Sequence, residues 1–118
     1  MVQELPRLAA RLAETHSGIA RLARSRERVQ AQLTGLEQQE AKLGRQAAKA
    51  RQFGREDLAQ VAQARQQEAQ RQRAELAIQL GQLLDEEAKL TLEARRLQAR
   101  RARIYWSGLQ DQDGEDLR

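Results

Sequence analysis

The chain has no cysteine, one proline, one histidine and three aromatic residues, Phe53, Tyr105 and Trp106, in 118 residues. Without cysteine there is no disulfide, thiolate metal site or cysteine nucleophile, and the redox compartment is left open. The lone histidine, His16, excludes a multi-histidine metal cluster and reads as a solvent-facing residue on a helix. Three aromatics are too few for an ordinary globular core, and the length allows at most one domain. No run approaches 18 apolar residues, so no membrane span is expected. The first residues show neither a basic n-region nor an apolar h-region, so no secretory signal is read in them. The glycines are isolated and form no phosphate loop. Carboxylate neighbours such as Glu86 and Glu87 carry no sign of a pocket. The expectation is a protein that is not an enzyme and needs no cofactor or metal.

What the chain does contain is helix-forming. Ala, Glu, Lys, Leu and Arg account for 70 of the 118 residues, with 18 Gln besides. That exceeds the roughly 50% at which this set, when periodic, marks long helices or coiled coil. A 3-4 spacing begins at Leu5 and runs through Leu8, Leu12, Thr15, Ile19, Leu22, Arg26, Val29, Leu33, Leu36, Glu40, Leu43, Ala47 and Ala50. Only Thr15, Arg26 and Glu40 are not apolar. A seven-residue repeat held this long means a supercoiled seam, because a straight helix of 3.6 residues per turn would drift off the stripe.

A second track runs through Ala59, Ala62, Gln66, Ala69, Arg73, Leu76, Leu80, Leu83, Glu87, Leu90, Ala94, Leu97, Arg101 and Ile104. The two tracks do not share a phase, and the break falls at Phe53-Gly54. Glycine ends helices in the left-handed conformation, and Glu56 and Asp57 then place negative charge in the first turn of the next helix. Pro6 suits the first turn of helix one. So short a connection folds the second helix back antiparallel, with residue i opposite a residue near 108 − i. Leu12 then meets Leu97, Ile19 meets Leu90, and Leu33 meets Leu76.

The expected fold is therefore all-α: a long antiparallel two-helix coiled-coil hairpin over residues 1–106, followed by a short disordered acidic tail, 107–118. Helix one is expected over about 4–52, the turn over 53–55, and helix two over about 56–106, each helix about 75 Å long at about 1.5 Å per residue. Helix two is expected to stop at Ser107-Gly108. The seam is Ala-rich near the turn and Leu-rich toward the open end, so the tip should be slender and weakly held. One two-helix seam barely offsets an ordering cost of roughly 1.5 kcal/mol per residue, so association with further copies or a partner is expected. Gly18, Gly35, Gly44 and Gly81 lie inside the helices, either as tolerated surface positions or where a neighbouring chain approaches closely.

Charge is unevenly distributed. Residues 1–104 carry 20 basic and 13 acidic groups, and residues 105–118 carry one and four. Arg95, Arg96, Arg100, Arg101 and Arg103 crowd the last turns of helix two, and the register brings Arg7 and Arg11 alongside. Arg21, Arg24 and Arg28 extend a basic row. Such a cluster is either a solvated face or a surface for an anionic membrane or an acidic protein. Nucleic acid is disfavoured, since no aromatics interleave the arginines and no groove-reading module is visible. The acidic tail could fold over the cluster as a cover. Phe53 is either a plug for the turn or a knob for a neighbouring subunit. Tyr105-Trp106 either anchors at an interface or closes the end of the seam.

At the turn the chain reads Gly54-Arg55-Glu56-Asp57-Leu58-Ala59. This resembles the hairpin tip of the phage shock protein A family, which includes the vesicle-inducing proteins of plastids and cyanobacteria. Ala47 and Ala50 match small positions upstream of that tip, and Val2-Gln3-Glu4 resembles the start of the family's first hairpin helix. Where the family carries a Leu and a Lys beyond the tip, this chain has Gln63 and Gln66. The family's membrane-inserting helix and its shorter closing helices have no counterpart in these residues. The resemblance implies membership of the ESCRT-III-like superfamily, whose members assemble on stressed membranes. It implies self-association or co-assembly with related subunits through Phe53, Gly54, Arg55, Glu56, Asp57 and Leu58 at the tip, in envelope-stress response and membrane maintenance. The anionic-surface contact would come from Arg7, Arg11, Arg95, Arg96, Arg100, Arg101 and Arg103. It also implies an alternative, a soluble regulatory hairpin that binds a protein such as an AAA+ transcription activator. A generic coiled-coil spacer is a third reading. The expected location is the cytoplasm, with peripheral attachment at the inner membrane in the scaffold reading.

Overall fold

The computed structural model describes the backbone of residues 3–116 and the side chains of residues 3–110. Two helices account for nearly all of it, α1 (Glu4–Gln52) and α2 (Glu56–Asp116), and there is no strand among the described residues. The fold is all-α, a helical hairpin. The chain divides into two compact units: a terminal unit, Met1–Ala23 with Asp85–Arg118, and a turn unit, Arg24–Leu84.

The heptad stripe is the buried face. Every seam position of α1 is buried or half-buried, and so is every one of α2 except Arg101, which is exposed. In the terminal unit Leu8, Leu12, Ala94 and Leu97 form one buried cluster, with Ile19 and Ile104 packed against it. This pairs Leu12 with Leu97 as the antiparallel register requires. Each buried leucine contributes about 1.5–3 kcal/mol of transfer free energy. Thr15, a polar residue on the seam, is satisfied locally: its hydroxyl donates to the Arg11 carbonyl at 2.8 Å.

In the turn unit the cluster is Ala47, Ala59 and Ala62, with Ala50 against it. Ala59 is 0% exposed. A methyl group contributes only about 0.8 kcal/mol on burial, so these contacts set closeness more than strength. Close approach shows at Gly44, where a Cβ would lie 3.2 Å from Nε2 of Gln66 on the facing helix. In the terminal unit, a Cβ at Gly18 would meet Cδ1 of Leu90 at 3.1 Å. Both glycines thus accommodate the hairpin's own second helix, while Gly35 and Gly81 face open space.

Glu40 breaks the apolar stripe of the turn unit. Its side chain is 11% exposed and pairs with Arg73, Nε to Oε2, at 3.2 Å. Oε1 of Glu40 is buried without a hydrogen-bond partner among the described residues. Gln66, another polar seam residue, donates from Nε2 to the Glu40 carbonyl at 3.4 Å.

One boundary differs from expectation. α2 does not stop at Ser107-Gly108 but runs to Asp116. Gly108 terminates a helix only if it turns left-handed, and Gly54 is the sole glycine with positive φ among the described residues. Gly108 stays helical, so the segment expected to be disordered continues the helix backbone through Asp116. Val2, Leu117 and Arg118 lie outside the described residues.

Candidate functional site

Two surfaces carry the residues singled out by the sequence, one in each unit. The first is the turn. α1 closes on Gly54, with φ of +68°. The Arg55 amide donates to the Ala50 carbonyl at 2.8 Å and the Gly54 amide to the Arg51 carbonyl at 3.0 Å. These two bonds satisfy the last carbonyls of α1 in the nested pattern that a left-handed glycine permits. The Ala59 amide donates to the Arg55 carbonyl at 3.1 Å, so Arg55 is the first residue of the next helical ladder. Helix end and helix start therefore share the three residues 53–55.

Charge staples this turn from outside. Arg55 forks onto Asp57, Nε to Oδ1 at 3.2 Å and Nη2 to Oδ2 at 3.0 Å. Arg51 reaches Glu56 at 3.3 Å across the turn. The Arg55 hydrogen bonds hold the Asp57 carboxyl below the usual carboxylate range, with the Leu58 amide adding to the effect. The same contact raises Arg55 above its ordinary value. Both groups are solvent-exposed, so the pair orders the turn more than it stabilises the chain.

Phe53 does not plug the turn. It is 70% exposed, and Leu58 and Val61 are about half exposed beside it. These three side chains, with Leu43 and Ala50, line an open apolar groove whose rim includes Lys49 and Arg65. Val61, Lys49 and Arg65 were not singled out by the sequence. Their signal was faint: a valine off the heptad stripe and two cations four and twelve residues from Phe53 along the chain.

The second surface is the arginine cluster of the terminal unit, which the structure divides. Arg11, Arg96, Arg100 and Arg103 line one groove together with Lys89 and Leu92. Arg7, Arg11 and Arg100 line a second with Gln3 and Glu4. Arg101 lines a third, with Leu5, Ala9, Tyr105 and Trp106. Arg95 lines none of these, although it too is exposed. Carboxylates take up part of the cluster: Arg100 pairs with Glu4 at 2.7 Å and Arg11 with Glu93 at 3.4 Å. Arg7 hydrogen-bonds Oε1 of Gln3 at 3.4 Å. Arg95, Arg96, Arg101 and Arg103 have no carboxylate within ion-pair distance among the described residues. Glu4 and Glu93 are the acidic partners that a charge count along one helix does not reveal.

Tyr105 and Trp106 do not close the end of the seam. They are 63% and 65% exposed, past the last buried contact at Ile104. Among the described residues no helix is long and apolar enough to cross a membrane, and no three His, Cys, Asp or Glu side chains are grouped to hold a metal ion. Comparison of the chain with protein-family models, with curated proteins and with solved structures finds no match.

Proposed function

We propose that this chain is a non-catalytic helical-hairpin scaffold that associates with further copies or related subunits and works at an anionic membrane surface, in the manner of the phage shock protein A family. The observation that carries the reading is the set of exposed arginines Arg95, Arg96, Arg101 and Arg103, with no carboxylate partner among the described residues, next to the exposed pair Tyr105 and Trp106. Guanidinium groups attract lipid phosphates at roughly 1 kcal/mol per charge near the surface. Aromatic rings with a polar edge suit the headgroup level. The Gly54-Arg55-Glu56-Asp57-Leu58 turn supports the same reading, because its ion pairs lie on the surface and Phe53 and Leu58 stand exposed beside them, where a neighbouring subunit can reach them.

Flotation with vesicles tests it. At about 0.15 M salt the Debye length is about 8 Å, so the protein should rise with anionic vesicles and stay behind with zwitterionic ones. Arg95→Gln with Arg96→Gln, Arg101→Gln and Arg103→Gln should abolish flotation. Protein that remains at the bottom with both vesicle types refutes the membrane role.

One observation favours a second reading, a regulator that binds a protein such as an AAA+ activator. The apolar groove at Phe53, Leu58 and Val61, with a cationic rim, fits an acidic amphipathic segment. In that case Phe53→Ala abolishes capture of one protein and leaves flotation unchanged.

A further inference from the structure

We infer that the groove formed by the start of α1 and the last described turns of α2 binds one anionic membrane lipid, its phosphate on Arg101 and its acyl chain on the apolar surface flanked by Tyr105 and Trp106. The inference rests on the scaffold reading and names the contact its membrane attachment makes with an individual lipid.

The groove is open, holds about 530 Å³ and lies wholly within the terminal unit. That volume falls in the range of small-molecule sites, about 300–1,000 Å³. Leu5 and Ala9 line it from α1, and Arg101, Ala102, Tyr105 and Trp106 from α2. The α2 positions are spaced i, i+1, i+4 and i+5, which sets them on one face of the helix. Both rings are mostly exposed, so an apolar chain laid between the helices would take them out of water.

Arg101 selects the head of the ligand. It occupies a heptad position, and among the seam positions of α2 it alone is exposed. An apolar residue there would continue the stripe; arginine instead brings a guanidinium into an otherwise uncharged lining. The other two arginine grooves include a carboxylate, Glu93 in one and Glu4 in the other, whereas none lines this one among the described residues. Nor does Arg101 have a carboxylate within ion-pair distance among them. A planar guanidinium accepts a phosphate through two parallel hydrogen bonds. A cation beside an apolar channel therefore calls for an anionic head on an apolar body. A peptide strand finds no edge here, because both walls are helices whose amides are paired internally. The bilayer is the source. Arg95, Arg96 and Arg103 are exposed on the same stretch of α2, where they draw the chain to anionic headgroups. Tyrosine and tryptophan suit the depth at which headgroup gives way to acyl chain.

Titration of the full chain with soluble amphiphiles tests the groove. Octyl phosphate, butyl phosphate, octyl glucoside and inorganic phosphate are added as monomers at about 0.15 M salt, and emission of Trp106, the single tryptophan, reports binding. Octyl phosphate should bind saturably and shift the emission to the blue. Butyl phosphate should bind at least about tenfold more weakly, since each fully buried CH₂ is worth about fourfold. Octyl glucoside, which lacks the charge, should also lose about tenfold, and inorganic phosphate should leave the emission unchanged. Arg101→Gln and Ala9→Leu, which fills the groove from an exposed helical position, should each weaken octyl phosphate about tenfold, with circular dichroism showing both variants helical. Absence of saturable octyl phosphate binding overturns the groove. So does octyl glucoside or butyl phosphate binding as tightly as octyl phosphate, or affinity undiminished in either variant. Vesicle flotation of the unaltered chain separates this inference from the scaffold reading. A chain that floats but does not bind octyl phosphate loses the groove and keeps the scaffold reading. One that binds octyl phosphate but never floats loses the membrane as the source of the lipid.

Discussion

The terminal unit and the turn unit carry the same heptad stripe and are held differently. In the terminal unit, leucines from both helices bury about 95% of their surface in one cluster. In the turn unit the corresponding cluster is alanine, and further along the same stripe sits a carboxylate, Glu40, that needs Arg73. A repeat of spacing is thus compatible with two kinds of interface. Leucine gives area and therefore stability; alanine and glycine give proximity, which a three-residue turn requires. The cost appears where the stripe must also accept charge.

The largest expected effect separates the two clusters directly. Leu12→Ala or Leu97→Ala should destabilise the chain by about 2–5 kcal/mol in denaturant unfolding, the range for a buried leucine lost from a core. Ala62→Gly should cost about 1 kcal/mol, nearly all of it helix propensity. Equal losses at the two sites would remove the distinction between the units.

Next in size is the charged seam. Arg73→Ala strands the Glu40 carboxylate, whose second oxygen already lacks a hydrogen-bond partner among the described residues. The expected loss is about 1–3 kcal/mol, between the values for exposed and buried pairs, because Arg73 itself is partly exposed. Glu40→Leu combined with Arg73→Leu should recover that loss or better it, since the pair would become an ordinary heptad contact. A double variant less stable than Arg73→Ala would mean that the ion pair itself supplies net stability.

Gly54→Ala tests the turn. A side chain at φ of +68° costs about 1–2 kcal/mol, and hydrogen exchange should quicken first at the amides around residues 50–59. The smallest effects divide the helical glycines. Gly35→Ala meets open space and should stabilise by up to about 1 kcal/mol. Gly18→Ala must displace Leu90, and its unfolding midpoint should stay near that of the wild type.

Most of the fold was legible along the chain. The heptad positions, the turn at 53–55 and the pairing of Leu12 with Leu97 follow from a period of 3.5, a phase break and a glycine, all properties of neighbours in sequence. Where helix two ends was not legible. Ser107-Gly108 has the composition of a stop, but a glycine acts as one only in the left-handed conformation, and composition does not fix its φ. The candidate site was legible as composition and not as arrangement. Seven arginines were foreseen in one region; that Arg100 and Arg11 are held by Glu4 and Glu93, while Arg95, Arg96, Arg101 and Arg103 have no such partner among the described residues, depends on which side chains face one another across two helices.

The sequence by itself determined that this chain is a two-helix hairpin with one buried stripe, because burying an apolar face of fixed period leaves a helix few other ways to satisfy its surface. Only the tertiary structure decided what that stripe leaves outside: Phe53 exposed instead of plugging the turn, Trp106 beyond the last seam contact, and Arg11 and Arg100 drawn onto Glu93 and Glu4. Those outcomes depend on the rotation and stagger of one helix against the other. They are set by contacts between residues up to 96 positions apart, which no local pattern encodes.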